Sequence, residues 1–411
     1  MDRLRWFRDA RFGLFLHWGA YALRGFEASW PLVRGQISYQ DYAALADQFN
    51  PKRYDPVAWA EFARAAGMGY AVLTTKHHDG FALYDTQLSD YSAPRRAAGR
   101  DLVQPYVEAF RAAGLRVGFY FSLCDWHHPD YPVELADTRP GRTRPAQAVP
   151  AGAPASIGAS PERWERYLEF MHGQVRELCT RYGTIDLLWF DGQWEHTAEE
   201  WRSRQLVSMI RELQPDIVIN DRLAERSLGD YATPEQFVPV TLPDRPWETC
   251  MTINETWAYN PTDRAYKSSG ELIATLAEVV SKGGNFLLNV GPTADGEIPP
   301  EFASRVRVVG KWMERNGESI HAAEPGLSSN AYYGPSTSRD DSLYLHVSAL
   351  PPEGAIQARS LTQRVVDARV LATQHPLAFE QRRDGIRVHL PANLFDPLGT
   401  VIHLQLGPES S

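Results

Sequence analysis

Short apolar runs alternate with longer amphipathic stretches over the first three quarters of the chain. Residues 12–18 (FGLFLHW), 70–76 (YAVLTTK), 116–122 (RVGFYFS), 185–190 (IDLLWF), 217–220 (IVIN) and 285–290 (NFLLNV) read as strands. Between them, residues 57–66, 101–113, 161–182, 197–213, 270–282 and 300–316 carry helical periodicity. Strands that are apolar throughout, and separated by helices, predict a parallel sheet buried on both faces. So many such units in one stretch favour a (β/α)8-like barrel of the TIM type over a doubly wound sheet. No Gly-rich phosphate fingerprint follows the first strand, which also weighs against a dinucleotide fold. Two segments break the rhythm. Residues 132–161 are rich in Pro, Ala, Gly and Arg and read as a long surface loop. After about Pro325 the helices stop, and residues 342–349, 365–371, 386–390 and 401–406 alternate apolar and polar. That pattern predicts a small antiparallel β-sandwich. The expected division is a catalytic barrel over 1–325 and a sandwich over 326–411.

The candidate chemistry lies where the apolar runs end. The first run ends in His17, and the second in Lys76, His77, His78 and Asp79. The third contains Tyr120 and precedes Asp125, Trp126, His127 and His128; the fourth ends in Asp191; the fifth in Asn220, Asp221 and Arg222. A later strand-like segment carries Trp247 and Glu248, and the next ends in Asn289. In a barrel these ends converge on one rim, where such enzymes hold their sites. Asp191 alone is ambiguous: an Asp before Gly192 can be a turn or cap residue as well as a positioned carboxylate. His77 and His78 are adjacent and would point to opposite faces of a strand, so both reach one ligand only at a strand end. His17, His77 and Asp191 could in principle hold a metal, but the H-x-H pattern of metal-dependent hydrolytic barrels is missing from the first strand, and no metal or cofactor is expected.

Composition narrows the function. The 411 residues carry 42 Lys+Arg against 51 Asp+Glu, a net charge of −9, which argues against a nucleic-acid partner. The hydrophobic fraction of 43% supports a substantial core rather than a disordered chain. Three cysteines, Cys124, Cys179 and Cys250, show no disulfide framework and fit a reducing compartment. The charged start MDRLRWFRDARFG shows no signal peptide, and no apolar run approaches the ~20 residues of a membrane span. A cytoplasmic protein with no membrane partner is expected. The 12 Trp and 12 His hint at carbohydrate, because sugar C–H faces stack on aromatic rings.

Six motifs sharpen that hint. FGLFLHWG, the stretch FNPKRYDPVAWAEFARAAGMGYAVLTTKHHDGFALYDT, GLRVGFYFSLCDWHHPDYP, LLWFDG, PWETCMTINETWAYN and SKGGNFLLNVGPTADGEIP resemble, in order, the α-L-fucosidases of glycoside hydrolase family 29. The resemblance runs from about Trp6 to His321. It implies a retaining exo-α-L-fucosidase acting on fucosylated oligosaccharides through a fucosyl-enzyme intermediate, with two carboxyl groups about 5–5.5 Å apart. By the same resemblance Asp191, in the LW-x-D motif, is the nucleophile. His17, His77 and His78 look like contacts to fucose hydroxyls, with Tyr120 and Arg222 as further pocket residues. Trp30 resembles the aromatic that helps close the pocket, and Trp257 the one that faces the fucose methyl group. Two glutamates compete as acid/base. Glu235 in DYATPEQF resembles the loop glutamate that serves in several family members and is preferred, since a loop can reach the leaving-group oxygen. Glu248 in PWETC resembles a position assigned that role in others and could instead shape the pocket. Two other readings stay open from the sequence: the same mechanism on an α-L-galactoside, and a catalytically idle fucose-binding protein. Linkage preference and oligomeric state are not legible.

Overall fold

The computed structural model describes residues 2–131 and 160–408. Seven parallel strands form one sheet: β1 (Phe12–Leu16), β2 (Tyr70–Lys76), β3 (Arg116–Ser122), β4 (Leu187–Asp191), β5 (Val218–Ile219), β6 (Glu248–Thr252) and β7 (Asn285–Val290). Their spatial order is β5-β4-β3-β2-β1-β7-β6. All but Arg116 at the start of β3 are buried, as strands covered on both faces must be. The covering helices are Pro56–Ala65, Val103–Ala112, Pro161–Arg181, Ser203–Leu213, Ser269–Ser281 and Pro300–Asn316. Helix starts carry the expected caps: Asp55 accepts from the amides of Val57 and Ala58, and Ser268 with Glu271 forms a capping box.

Several boundaries differ from the sequence pattern. The first strand stops at Leu16, which leaves His17 and Trp18 beyond the sheet. Of the helix expected over 197–213, only Ser203–Leu213 is helical; turns precede it. A short helix, Arg5–Ala10, precedes β1 and buries only Phe7, too little apolar surface to leave a periodic signal. The loop expected over 132–161 lies outside the described residues except at its end, where Ser160 caps the helix that Pro161 opens.

The two edge strands, β5 and β6, are linked by an irregular segment. The Asp230 amide donates to Ile219, the Ala232 amide to Pro246, the Glu248 amide to Ala232 and the Gln236 amide to Cys250. Parallel bridges pair Asn220 with Tyr231, Ala232 with Trp247 and Glu235 with Cys250. The segment contains Pro234 and is followed by Pro239, Pro243 and Pro246, which hides it from any strand pattern.

Beyond the parallel sheet the chain is antiparallel. Strands β8 (Glu324–Pro325), β9 (Ser336–Arg339), β10 (Ser342–Val347), β11 (Ala355–Arg359), β12 (Val365–Val370), β13 (Phe379–Arg382), β14 (Gly385–His389) and β15 (Thr400–Leu406) make two sheets, β12-β15-β10-β9-β8 and β11-β14-β13. Leu343, Leu345, Ile402 and Leu404 from the first pack with Ile356, Ala358, Ile386 and Val388 from the second in one apolar core. Trp312 of the last long helix donates through Nε1 to the Gly399 carbonyl at 2.7 Å, tying this part to the parallel sheet's helices. Among the described residues no helix is long and apolar enough to cross a membrane.

Candidate active site

The carboxyl ends of the parallel strands surround a cavity of about 800 Å³. Asp191 is the last residue of β4 and only 9% exposed. The chain must turn sharply after it. Gly192 has φ +76°, and a Cβ there would meet the Cys124 sulfur at 2.7 Å, so the D-G pair follows from the turn. Each Asp191 carboxylate oxygen has a donor. Tyr120 of β3 donates to Oδ2 at 3.0 Å, and Arg222 donates through Nη1 to Oδ1 at 2.9 Å.

Arg222 also reaches Glu235. Its Nη2 donates to Glu235 Oε2 at 2.6 Å, its Nε to Thr233 Oγ1 at 3.1 Å, and its guanidinium lies 4.4 Å from the centre of the Trp189 ring. One half-buried cation therefore bridges the two carboxylates expected from the sequence. Arginine suits this place, because its planar fork can serve two acceptors while its face stacks on an indole. Tyr120 is stacked in turn between His77 and Trp189, with centroids 5.4 and 5.6 Å away.

Strand β2 ends at Lys76, so His77 and His78 lie past the sheet and both line the cavity. Their neighbours in the KHHD motif do not. Lys76 is fully buried, 3.3 Å from Asp125 and 4.3 Å above the Phe121 ring, and the Asp79 carboxylate accepts from Tyr42. Lys76 and Asp79 hold the motif from behind.

The hydrogen-bond network fixes where His17 carries its proton. Asn289 at the end of β7 donates through Nδ2 to the Trp257 carbonyl at 2.6 Å. A carbonyl cannot donate, so the amide has one orientation and its Oδ1 faces His17 Nδ1 at 2.6 Å. His17 Nδ1 must then bear the proton. Burial lowers the His17 pKa to about 4, so the ring is neutral and its Nε2 is left as an acceptor for a ligand. His77 Nδ1 is hydrogen-bonded to Ser29 Oγ, which also accepts from the Asp79 amide at 3.1 Å. Burial, reinforced by His78 and His17, keeps His77 neutral too. His78 Nδ1 is held by Ser122 Oγ at 2.7 Å, and its Nε2 lies 3.8 Å from Asp191.

Aromatic walls complete the cavity. The Trp257 ring lies 5.0 Å from His17, and its backbone is gripped at both ends: Asn289 holds the carbonyl, and the Glu27 carboxylate accepts from the amide at 3.0 and 3.1 Å. Burial raises the Glu27 carboxyl to about 7. Trp30 packs edge-on to His78 at 5.6 Å and stacks on Trp194 at 6.2 Å.

The structure thus brings His17, Trp30, His77, His78, Tyr120, Asp191, Arg222, Glu235 and Trp257 to one cavity. It does not bring Glu248 there. Glu248 is the first residue of β6, at the opposite end of the strand from the rim, and is fully buried. Its carboxyl accepts from Trp189 Nε1 at 3.0 Å and from the Tyr70 hydroxyl, and burial raises it to about 7. The expectation that Glu248 stands at a rim-side strand end is corrected: PWETC begins the strand. Asn289, seen in the sequence only as a polar strand end, supports the site together with Ser29, Glu27 and Trp189. Two of them, Glu27 and Ser29, lie beside Trp30 in EASW, which is the nearest thing to a signal. Among the described residues no three His, Cys, Asp or Glu side chains converge as metal ligands would.

Two carboxylates on one arginine, neutral histidines and indole walls make a site for a small polyhydroxylated molecule. Comparison with known proteins specifies which kind. The sequence profile of the α-L-fucosidases matches residues 2–318. Human tissue α-L-fucosidase is 32% identical over 422 aligned residues, spanning 94% of this chain and 84% of that protein. Among solved structures, α-L-fucosidase isoenzyme 1 from Paenibacillus thiaminolyticus is 42% identical, with 99% of both chains covered and a TM-score of 0.89. A family 29 α-L-fucosidase from Bacteroides thetaiotaomicron, trapped as a covalent intermediate with 2-fluoro-fucosyl fluoride, is 29% identical, covers 99% of this chain and 97% of that one, and has a TM-score of 0.87. The chain belongs to the α-L-fucosidase family, glycoside hydrolase family 29.

Proposed function

We propose that this protein is a retaining exo-α-L-fucosidase acting on fucosylated oligosaccharides, with Asp191 as nucleophile and Glu235 as acid/base. The observation that carries this is the Arg222 bridge between the two carboxylates, in a cavity whose inner end is closed by Phe15, Tyr120 and Trp189. A closed inner end suits a terminal sugar. In the first step the Asp191 carboxylate forms a bond to the anomeric carbon, the glycosidic C–O bond breaks, and Glu235 gives its proton to the departing oxygen. In the second step a water gives its proton to Glu235 and its oxygen to the anomeric carbon, releasing Asp191. Arg222 holds both carboxyl groups at the one cavity: its Nη1 donates to Asp191 and its Nη2 to Glu235. The covalent intermediate trapped in the Bacteroides relative supports this route.

The same reading includes a closed barrel over 1–325. The segment around Tyr231–Glu235 takes the eighth place, supported by its parallel bridges to β5 on one side and β6 on the other. Glu235 then stands at the rim with Asp191. A β-sandwich over 326–411 is supported by the core shared between the two antiparallel sheets, and a reducing, cytoplasmic location by three buried free cysteines. The deciding experiment is Asp191→Gly with azide: turnover of an aryl α-L-fucoside should be lost, then restored as β-L-fucosyl azide. Near-normal hydrolysis by the variant without azide sinks the assignment.

A further inference from the structure

The cavity continues outward past Glu235 along a segment that the fucose pocket does not need. Gln236 has φ +64°, a conformation that a non-glycine residue adopts only when its surroundings impose it. They do so here. Its amide donates to the Cys250 carbonyl at 2.9 Å, and its side-chain amide donates through Nε2 to Thr252 Oγ1 at 3.1 Å while Oε1 accepts from the Thr252 amide at 3.2 Å. Thr249 Oγ1 then donates to the Phe237 carbonyl at 2.8 Å. The clamp ties the chain to β6 on either side of the turn. Glu235 faces Arg222 before it, and the Phe237 side chain stands at the cavity mouth after it.

Phe237 is 57% exposed, Leu242 47%, and Val240 between them 94%. Phe237 and Leu242 line the cavity together with Pro239 and Pro243, and Arg226 and Arg245 complete its outer edge. Three large apolar side chains exposed within six residues are unusual on a soluble surface and mark a contact site. The volume points the same way. About 800 Å³ lies in the upper part of the range for small-molecule sites, which leaves room beyond a single terminal sugar held against Asp191.

Resting on the fucosidase reading, we infer that residues 236–243 form the subsite for the leaving group, and that it takes an aglycone with an apolar face: the C–H face of the next sugar, or an aryl ring. The strained Gln236 turn couples this wall to the acid/base, so a leaving group lying on Phe237 and Leu242 has its glycosidic oxygen beside Glu235.

The test compares α-L-fucosyl fluoride, which has no aglycone, with an α-L-fucosyl disaccharide and an aryl α-L-fucoside. The readout is the ratio of kcat/KM for each glycoside to that for the fluoride. In the full-length double variant Phe237→Ala/Leu242→Ala both ratios should fall about tenfold, the size expected from losing on the order of 50 Å² of apolar contact. Both side chains are surface-exposed, so folding is not at stake. Ratios within twofold of the unmodified protein, with activity present, overturn the subsite and leave the fucosidase reading intact. An unmodified protein that hydrolyses none of the three substrates refutes both.

Discussion

Asn289 decides what His17 can offer a substrate, and Asn289→Leu removes that decision while keeping the side chain's approximate volume. Two buried groups lose their partner: the Trp257 carbonyl and His17 Nδ1–H. The carbonyl has no remedy, and an unmet buried acceptor costs about 1–3 kcal/mol of stability. His17 does have one. It can move its proton to Nε2, which relieves the folded protein and transfers the penalty to the substrate, because a hydroxyl that donated to Nε2 now meets a donor. That mismatch in a dry pocket costs about 1–3 kcal/mol, so kcat/KM for an aryl fucoside should fall ~5- to ~150-fold. Asn289→Asp keeps an acceptor for His17 Nδ1–H but sets a carboxylate against the Trp257 carbonyl. It should therefore recover much of the kcat/KM while remaining destabilised. Denaturant unfolding gives the stability change, steady-state kinetics the activity, and side-chain 15N shifts of His17 the proton position. The reasoning fails if His17 in the unmodified protein is protonated on Nε2, or if Asn289→Leu keeps kcat/KM within twofold.

Glu235→Ala should slow substrates with poor leaving groups far more than those with good ones, because only the former need a proton; equal slowing of both would remove Glu235 from the acid/base role. Arg222→Lys loses the planar fork joining Asp191 and Glu235, and kcat/KM should drop ~10- to ~150-fold, the worth of one charge-assisted hydrogen bond, with the circular dichroism spectrum unchanged. Glu248→Gln should instead act on stability. Burial raises the Glu248 carboxyl from 4.5 to about 7, so the folded protein keeps a proton that the unfolded chain releases, and this contribution is full below pH 4.5 and lost as pH rises through 7. A glutamine cannot titrate, so urea unfolding at pH 4 and pH 8 should show the variant gaining roughly 3 kcal/mol relative to the parent over that interval. A pH-independent difference would contradict the buried, protonated state.

Most of the parallel sheet was legible because its strands are apolar on both faces, a pattern that burial demands; β6, ETCMT, is as buried but lacks that run. The polar residues that end those strands were legible for the same reason: a His or Asp after five buried positions has few explanations. What hid was anything whose partner is distant in the chain. Asn289 looks like one more polar strand end until its contacts to His17 and Trp257, 272 and 32 residues away, give it a task. Ser29 is an ordinary serine until it stands between the Asp79 amide and His77. In the antiparallel part, β9, β11 and β13 have only four or five residues each, with exposed polar positions, and turn chemistry outweighs their alternation.

The choice between the two glutamates shows what register adds to motif. Both lie on neighbouring stretches and both resemble family positions, so sequence left them as rivals. In the parallel pairing Glu235 stands level with Cys250, while Glu248 stands level with Asn285, the first residue of β7. Cys250 is two residues short of the end of β6 and Glu248 is four short. At about 3.3 Å per residue, Glu248 starts some 7 Å deeper than Glu235, a depth no glutamate side chain spans. Its partners there, Tyr70 and Trp189, are those of a group that braces the floor of the pocket. Trp189 is also the ring beneath Arg222. A Glu248 variant that lets this indole shift would lose activity as well as stability, and that loss would by itself mimic a missing acid. Only the leaving-group comparison separates the two: a displaced Trp189 slows every substrate alike, while a missing acid spares the substrates that need no proton.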